Sequence, residues 1–298
     1  MDDGRATGTW NVNRAAAVLS VLMLVATGVA TLTALVMPQL LHGPAVMIGS
    51  MRGTALVVLV LGMPLVVLGM LSARHAGLRG VVAWIGGVGF LAYQGWMFLF
   101  AIPFNGLFLV YVAMFGFAFW AFVALVTGLR ADAFASSFGA ALPARLLAGW
   151  MIASCAAFYA LWLKNVVPAS FDSVAPAFLA GTGMVTATNY VLDMALFLPF
   201  TIIVAIALWR RTAWGVVVGG AMLILLVLES VAIAVDQWLG SVADPGSPVA
   251  SAAITPLFLM VAVIGVVALA LWYRGTVRPG AVAPRPDGAA PGQSPAVS

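Results

Sequence analysis

Eight apolar stretches, each close to the length that crosses a lipid bilayer, leave this chain few ways to fold. They run over roughly Arg14–Met37, Gly53–Ser72, Gly80–Ala101, Gly106–Leu129, Leu146–Leu163, Ala187–Trp209, Thr212–Gln237 and Ala252–Tyr273. A spanning helix takes about 20 residues to cross about 30 Å of hydrocarbon, and there each backbone N–H and C=O must be satisfied within the segment. A membrane barrel would need shorter segments alternating polar and apolar residues, whereas these are uniformly apolar. Only 7% of the 298 residues are charged against 64% hydrophobic, too few charges to clothe a water-facing surface. The expectation is an all-α integral membrane protein, an eight-transmembrane-helix bundle over residues 14–275. The first stretch is longer than the usual apolar core of a secretory signal and reads as a retained helix.

Threading the eight stretches through a bilayer divides the thirteen Lys and Arg residues unequally. Arg5, Arg14, Arg74, Arg79, Arg130, Arg145, Arg210, Arg211, Arg274, Arg278 and Arg285 fall on one side, and only Arg52 and Lys164 on the other. Basic residues are retained in the cytoplasm, so both termini are expected there, in a bacterial cytoplasmic (inner) membrane. Adding or removing one helix would scramble the partition. A short tail, 1–13, precedes the bundle. The segment 276–298 carries Pro279, Pro284, Pro286, Pro291 and Pro295 among Gly, Ala and Ser, and reads as a disordered tail.

Several function classes drop out. The basic residues are scattered at helix ends, with no basic-aromatic patch, which excludes nucleic acid as a partner. Cys155 is the sole cysteine, so neither an intrachain disulfide nor a thiolate cluster can form. His42 and His75 fall at opposite ends of the second helix and cannot share a metal. HExxH, GxSxG and P-loop motifs are absent. Lys164 lies at a helix end, too shallow for a retinal-type Schiff base. No catalytic residue, metal or cofactor is therefore expected, and the reading leans away from an enzyme.

The two halves echo each other. Gly62-Met63-Pro64-Leu65 precedes Arg74 much as Phe197-Leu198-Pro199-Phe200 precedes Arg210; Trp84 with Gly86-Gly87 follows in one half, Trp214 with Gly219-Gly220 in the other. Leu107-Phe108-Leu109-Val110 corresponds to Leu257-Phe258-Leu259-Met260, and Pro38 to Pro168. A four-helix unit restores its own orientation, so the expectation is a parallel 4+4 duplication of 14–129 in 146–273. The small-xxx-small spacing of Gly215 and Gly219 suits close helix packing within the monomer better than a homo-oligomer face, though a homo-oligomer stays open.

Tyr93, the run Pro103-Phe104-Asn105-Gly106-Leu107-Phe108, Asn189-Tyr190-Val191-Leu192-Asp193 and the turn Arg210-Arg211-Thr212-Ala213-Trp214-Gly215 together resemble a family of bacterial polytopic inner-membrane proteins with no assigned activity. The resemblance implies the architecture and supplies no chemistry. Where an acidic residue would make the halves alike, the second helix reads Thr54-Ala55-Leu56-Val57-Val58.

Ionisable residues within the hydrocarbon are costly and by default mark function. Asp193 lies about 9 Å, and Glu229 about 12 Å, below the same end of two antiparallel neighbours joined by the tight Arg210-Arg211 turn. Asn189, Tyr190 and Asp193 share one helix face, and Glu229 and Asp236 share another. Gln94 is their counterpart in the third helix, at about 10 Å, with Tyr93 beside it. Polar residues thus gather toward the exterior, which predicts an outward-facing polar pocket for a small solute or cation. The alternative is structural: Asp193 pairs with Lys164 or Arg52, and a neutral Glu229 bonds a neighbouring helix. Three functions stay open. One is a small-solute or ion-coupled transporter or ligand-binding protein. The second is a structural or assembly protein whose only partners are other chains and the bilayer. The third is a membrane-embedded enzyme acting on a lipid from the outer face.

Overall fold

The computed structural model describes residues 13–75, 77–174 and 176–276; the tail expectations, with Arg5, Arg278 and Arg285, lie outside the described residues. Among the described residues eight helices are long and apolar enough to cross a membrane: α1 Arg14–Val36, α2 Ala45–Ala73, α3 Leu78–Phe100, α4 Phe108–Thr127, α5 Ala144–Ala169, α6 Thr188–Trp209, α7 Ala213–Ala243 and α8 Ala252–Gly275. The protein is a multi-pass, all-α membrane protein.

Two helices form the centre. The most apolar window of α3 is 78% buried and that of α7 83%, whereas the other six range from 22 to 39%. In the first half α3 packs between α2 and α4, and α1 lies along α4. In the second half α7 packs against α8 and α6, with α5 behind α6. The halves meet where α7 runs along both α2 and α3.

Lipid tails are as apolar as leucine, so apolar burial does not drive helix association in a membrane; close van der Waals contact and interhelical hydrogen bonds do. Glycine supplies the first. A Cβ on Gly53 of α2 would stand 2.7 Å from the Asp236 Cα and the Val235 carbonyl oxygen of α7, and one on Gly86 of α3 would stand 2.7 Å from the Ala221 carbonyl oxygen. Buried tryptophans supply the second. Trp84 Nε1 donates to Ser20 Oγ at 3.0 Å, tying α3 to α1, and Trp272 Nε1 donates to the Val216 carbonyl at 3.0 Å, tying α8 to α7. Trp84 is fully buried while Trp214 is half-buried against Phe200, so the two tryptophans matched in sequence occupy different surroundings.

Arg14, Arg74, Arg79, Arg130, Arg145, Arg210, Arg211 and Arg274 all sit at helix ends that meet at one end of the bundle. There they stitch connections together. Arg79 Nη2 donates to the Tyr273 carbonyl at 2.9 Å, with its guanidinium 5.4 Å from that residue's ring centre. Arg211 donates to the carbonyls of Leu142 and Ala140, and Phe138 bridges to Thr276. The α6–α7 turn is as tight as the sequence suggests, with Arg211 at φ 55° and the Thr212 hydroxyl accepting from Gly215 N at 3.0 Å. Gly215 and Gly219 pack against Ala207 and Leu208 of α6, inside the monomer.

Three helices outrun their sequence-based bounds by more than a turn, all at the opposite end. α2 begins at Ala45 rather than Gly53, α5 continues through Pro168 to Ala169, and α7 extends to Ala243 rather than Gln237. Gly49 and Ser50 dilute the apolar signal of α2 because this face of the helix meets α7 instead of lipid. Gly49 lies against the Leu239 carbonyl, and Ser50 Oγ donates to the Asp236 carbonyl at 3.3 Å.

The α2–α7 seam predicts a mutational contrast. Gly53→Ala forces a methyl against backbone and should destabilise by about 1–3 kcal/mol, the usual range for overpacking. Gly116→Ala, whose Cβ meets nothing within 4 Å, should leave the melting temperature in detergent unchanged. Equal melting temperatures for the two variants would contradict the close seam.

Candidate functional site

Proline shapes the helix that carries Asp193. Pro199 has no N–H to donate, and its ring crowds the carbonyl one turn back. α6 answers with a wide π turn over Asp193–Phe197, in which Leu198 N bonds to the Asp193 carbonyl. The Met194 carbonyl thereby loses both backbone partners, since Leu198 N is used and Pro199 has none. Tyr159 of α5 fills the gap, its Oη donating to Met194 O at 2.9 Å. The same device recurs in α2, where a π turn over Val58–Gly62 precedes Pro64. Such single wide turns are rare and re-aim the side chains around them.

Asp193 is 7% exposed and fully engaged. Tyr93 Oη of α3 donates to its Oδ1 at 2.9 Å, and Trp162 Nε1 of α5 donates to its Oδ2 at 2.9 Å. Next along α3, Gln94 Nε2 donates to Glu229 Oε2 of α7 at 2.7 Å; Gln94 is 2% and Glu229 8% exposed. Successive residues of α3 therefore hold the two acids, which brings Asp193 and Glu229 to one place as their depths require. Two turns along α7, Gln237 Nε2 donates to Asp236 Oδ1 at 3.0 Å.

These groups wall a cavity of about 550 Å³ lined from α2, α3, α5, α6, α7 and α8. Tyr93, Gln94, Asn189, Tyr190, Asp193, Glu229 and Asp236 all line it. It lies toward the end opposite the arginines, while the arginine-side half of α3 and α7 is solid apolar core. Tyr190 stacks at 4.3 Å on Trp162 and accepts from Asn165 Nδ2 at 3.2 Å.

The structural pairing partners do not engage. Among the described residues Asp193 is held by Tyr93 and Trp162, not by Lys164 or Arg52. Both basic residues are exposed, and Lys164 borders a separate small hollow with Asp172. The reason is reach: Asp193 is buried behind Trp162, and α2 turns Arg52 outward so that Gly53 can meet α7.

Sequence reasoning overlooked Trp162, Tyr159 and Asn165. Cys155, Tyr159, Trp162 and Asn165 recur at intervals of four and three on α5, a polar-tipped stripe on an otherwise apolar helix. That spacing was the available signal. It also overlooked Ser50, Thr54 and Gln237, which the shortened bounds of α2 and α7 had left near or beyond the helix ends.

No protein-family model, curated protein or solved structure matches the chain.

Asp193 accepts a bond on each oxygen, and an amide has only one acceptor. Asp193→Asn should strand either Tyr93 or Trp162 and destabilise by about 1–3 kcal/mol, the usual penalty for an unsatisfied buried donor. Combining it with Trp162→Phe, which removes one donor, should restore part of the loss. Additive destabilisation of the two changes in denaturant titrations would argue against this bonding.

Proposed function

We propose that this multi-pass membrane protein binds a small solute in the cavity, as an ion-coupled transporter or a ligand-binding membrane protein. The observation that carries the reading is the cavity itself. It is about 550 Å³, within the range of small-molecule sites, and it combines an apolar wall with a few converging polar groups. The buried carboxyls at its wall bond neutral donors rather than cations. A purely structural lock would be expected to neutralise buried carboxylates with the chain's own Arg or Lys. Asp193, bonded on both oxygens, acts as the anchor holding α5 and α6 to α3. Glu229 and Asp236 each keep one carboxyl oxygen without a hydrogen bond from the described residues and form the ligand-facing acids.

The arginine end is assigned to the cytoplasm and the pocket to the exterior of a bacterial inner membrane, on the strength of the charge partition. Membership of the bacterial inner-membrane family that the chain resembles belongs to the same proposal. So does the parallel duplication. It is supported by one interval, which separates Val58–Gly62 from Asp193–Phe197, Pro64 from Pro199 and Gln94 from Glu229.

Thr54 lines the cavity and Cys155 is buried, so an introduced cysteine can be labelled against a shielded native one. In intact cells a small membrane-impermeant thiosulfonate should modify Thr54→Cys and leave the parent protein unmodified. Modification only in inverted vesicles would reverse the orientation. Modification from neither side would mean the cavity is closed to water and would remove the solute-binding reading. Reporter fusions after Leu129 and after Gly275 should read cytoplasm, and one within 172–183 the exterior; an exterior signal after Gly275 would break the assigned topology.

A further inference from the structure

We infer that the solute is an organic cation, a protonated amine carrying an apolar or aromatic group. The inference rests on the solute-binding reading above and narrows it to a charge and a shape.

Charge comes first. Among the described residues, three carboxyl side chains line the cavity and no Lys, Arg or His does. An anion would meet three acids with no counter-charge in a poorly solvated space, an arrangement that rejects it strongly. The chain's own donors do not use up the acceptors. Glu229 is 8% exposed, yet only its Oε2 is bonded, by Gln94; Asp236 is bonded only at Oδ1, by Gln237. A second, independent vacancy lies on α2. Thr54 is 8% exposed and lines the wall, and its hydroxyl bonds no described residue. It faces the space from α2 while the acids face it from α6 and α7. Buried polar groups are nearly always bonded, so these open acceptors mark where a donor from outside the chain fits.

Shape separates an organic from an inorganic cation. Calcium and magnesium need several oxygens gathered at 2.0–2.6 Å, and among the described residues no group of three His, Cys, Asp or Glu is close enough to hold a metal. The cavity is also far larger than one ion. Its remaining wall is aromatic and sulfur-rich: Tyr93, Trp162, Phe178, Tyr190 and Phe258, with Met47, Met97 and Met184. The Tyr190 ring contacts those of Trp162 and Phe178, with ring centres 4.3 and 5.2 Å apart. Aromatic faces attract ammonium groups and pack against flat apolar ones. Acid on α7 and rings on α5 and α6 thus give a cationic amphiphile a partner for each end.

Three probes of similar size test this on the full chain in detergent: N,N-dimethylbenzylammonium, neutral N,N-dimethylbenzamide and anionic phenylacetate. Binding is followed by calorimetry, and occupancy of the cavity by protection of Thr54→Cys from the thiosulfonate. The cation alone should bind and protect. Glu229→Gln, which keeps the Gln94 bond, should weaken it by about tenfold or more, the scale of losing one close charge partner. Asp236→Asn gives an independent variant should the first fail to fold, and both are checked by gel filtration. In the Thr54→Cys protein a cationic thiosulfonate should also outpace an anionic one by more than their ratio on a free thiol. Equal binding and protection by the amide or the phenylacetate would overturn the cationic class while leaving the solute pocket standing. The same holds if Thr54→Cys is labelled but none of the three probes binds or protects. Only loss of labelling itself takes down the pocket.

Discussion

The backbone hydrogen bond in lipid is the constraint from which the rest of this structure follows. A residue in hydrocarbon has no water to fall back on, so every departure from a regular helix must be matched by a partner within the protein. Pro64 and Pro199 impose two such departures. In α6 the repair reaches across to α5, where Tyr159 takes the orphaned Met194 carbonyl. One turn further along α5, Trp162 reaches Asp193. The helix defect and the buried acid are thus served by the same face of the same neighbour. Burying an aspartate at the start of a wide turn is tolerable because α5 supplies donors for both.

Under the proposed duplication, the two halves use an equivalent helix in opposite ways. α2 lies flush on α7, close enough that Gly49 and Gly53 leave no room for a methyl group. Its counterpart α6 approaches α3 mainly through side chains: Tyr93 to Asp193, Tyr93 ring to Phe197 ring at 5.4 Å, and Thr188 Oγ1 to the Phe100 carbonyl at 3.2 Å. Glycine closes one seam, while aromatic and polar side chains prop the other open. The cavity is the volume that this difference leaves. The interval relating Gln94 to Glu229 then has a spatial meaning, for the two equivalent positions bond each other where the central helices cross.

Much of this was legible in the sequence and some was not, for physical reasons. Eight spans and their alternation follow from apolar length and the positions of Arg14 through Arg274, because the membrane acts on each segment separately. The meeting of Asp193, Glu229, Gln94 and Tyr93 was legible because depth along a helix can be counted. Contacts that depend on rotation and tilt were not. Nothing in one helix states that α5 turns Trp162 rather than Lys164 toward Asp193. Nor does a hydropathy trace distinguish a polar turn in a loop from a polar turn of helix facing another helix, as at Gly49-Ser50. Trp84 and Trp214 make the same point, alike in spacing but one in the core and one near the surface.

The identity of the acids' partners is the most informative detail of the site. A carboxylate bonded to arginine is electrically finished, and removing either member strands a charge. A carboxylate bonded to tyrosine, tryptophan or glutamine is oriented without being neutralised, so its field still extends into the cavity. The chain has basic residues close at hand in Arg52 and Lys164, yet both are turned to the surface. Asp193 is fixed by two neutral donors, whereas Glu229 and Asp236 have one each, in an order that follows their access to the open space. On the proposed reading, orientation without neutralisation leaves a negative potential in an aromatic-walled volume, which a ligand supplying the positive charge completes.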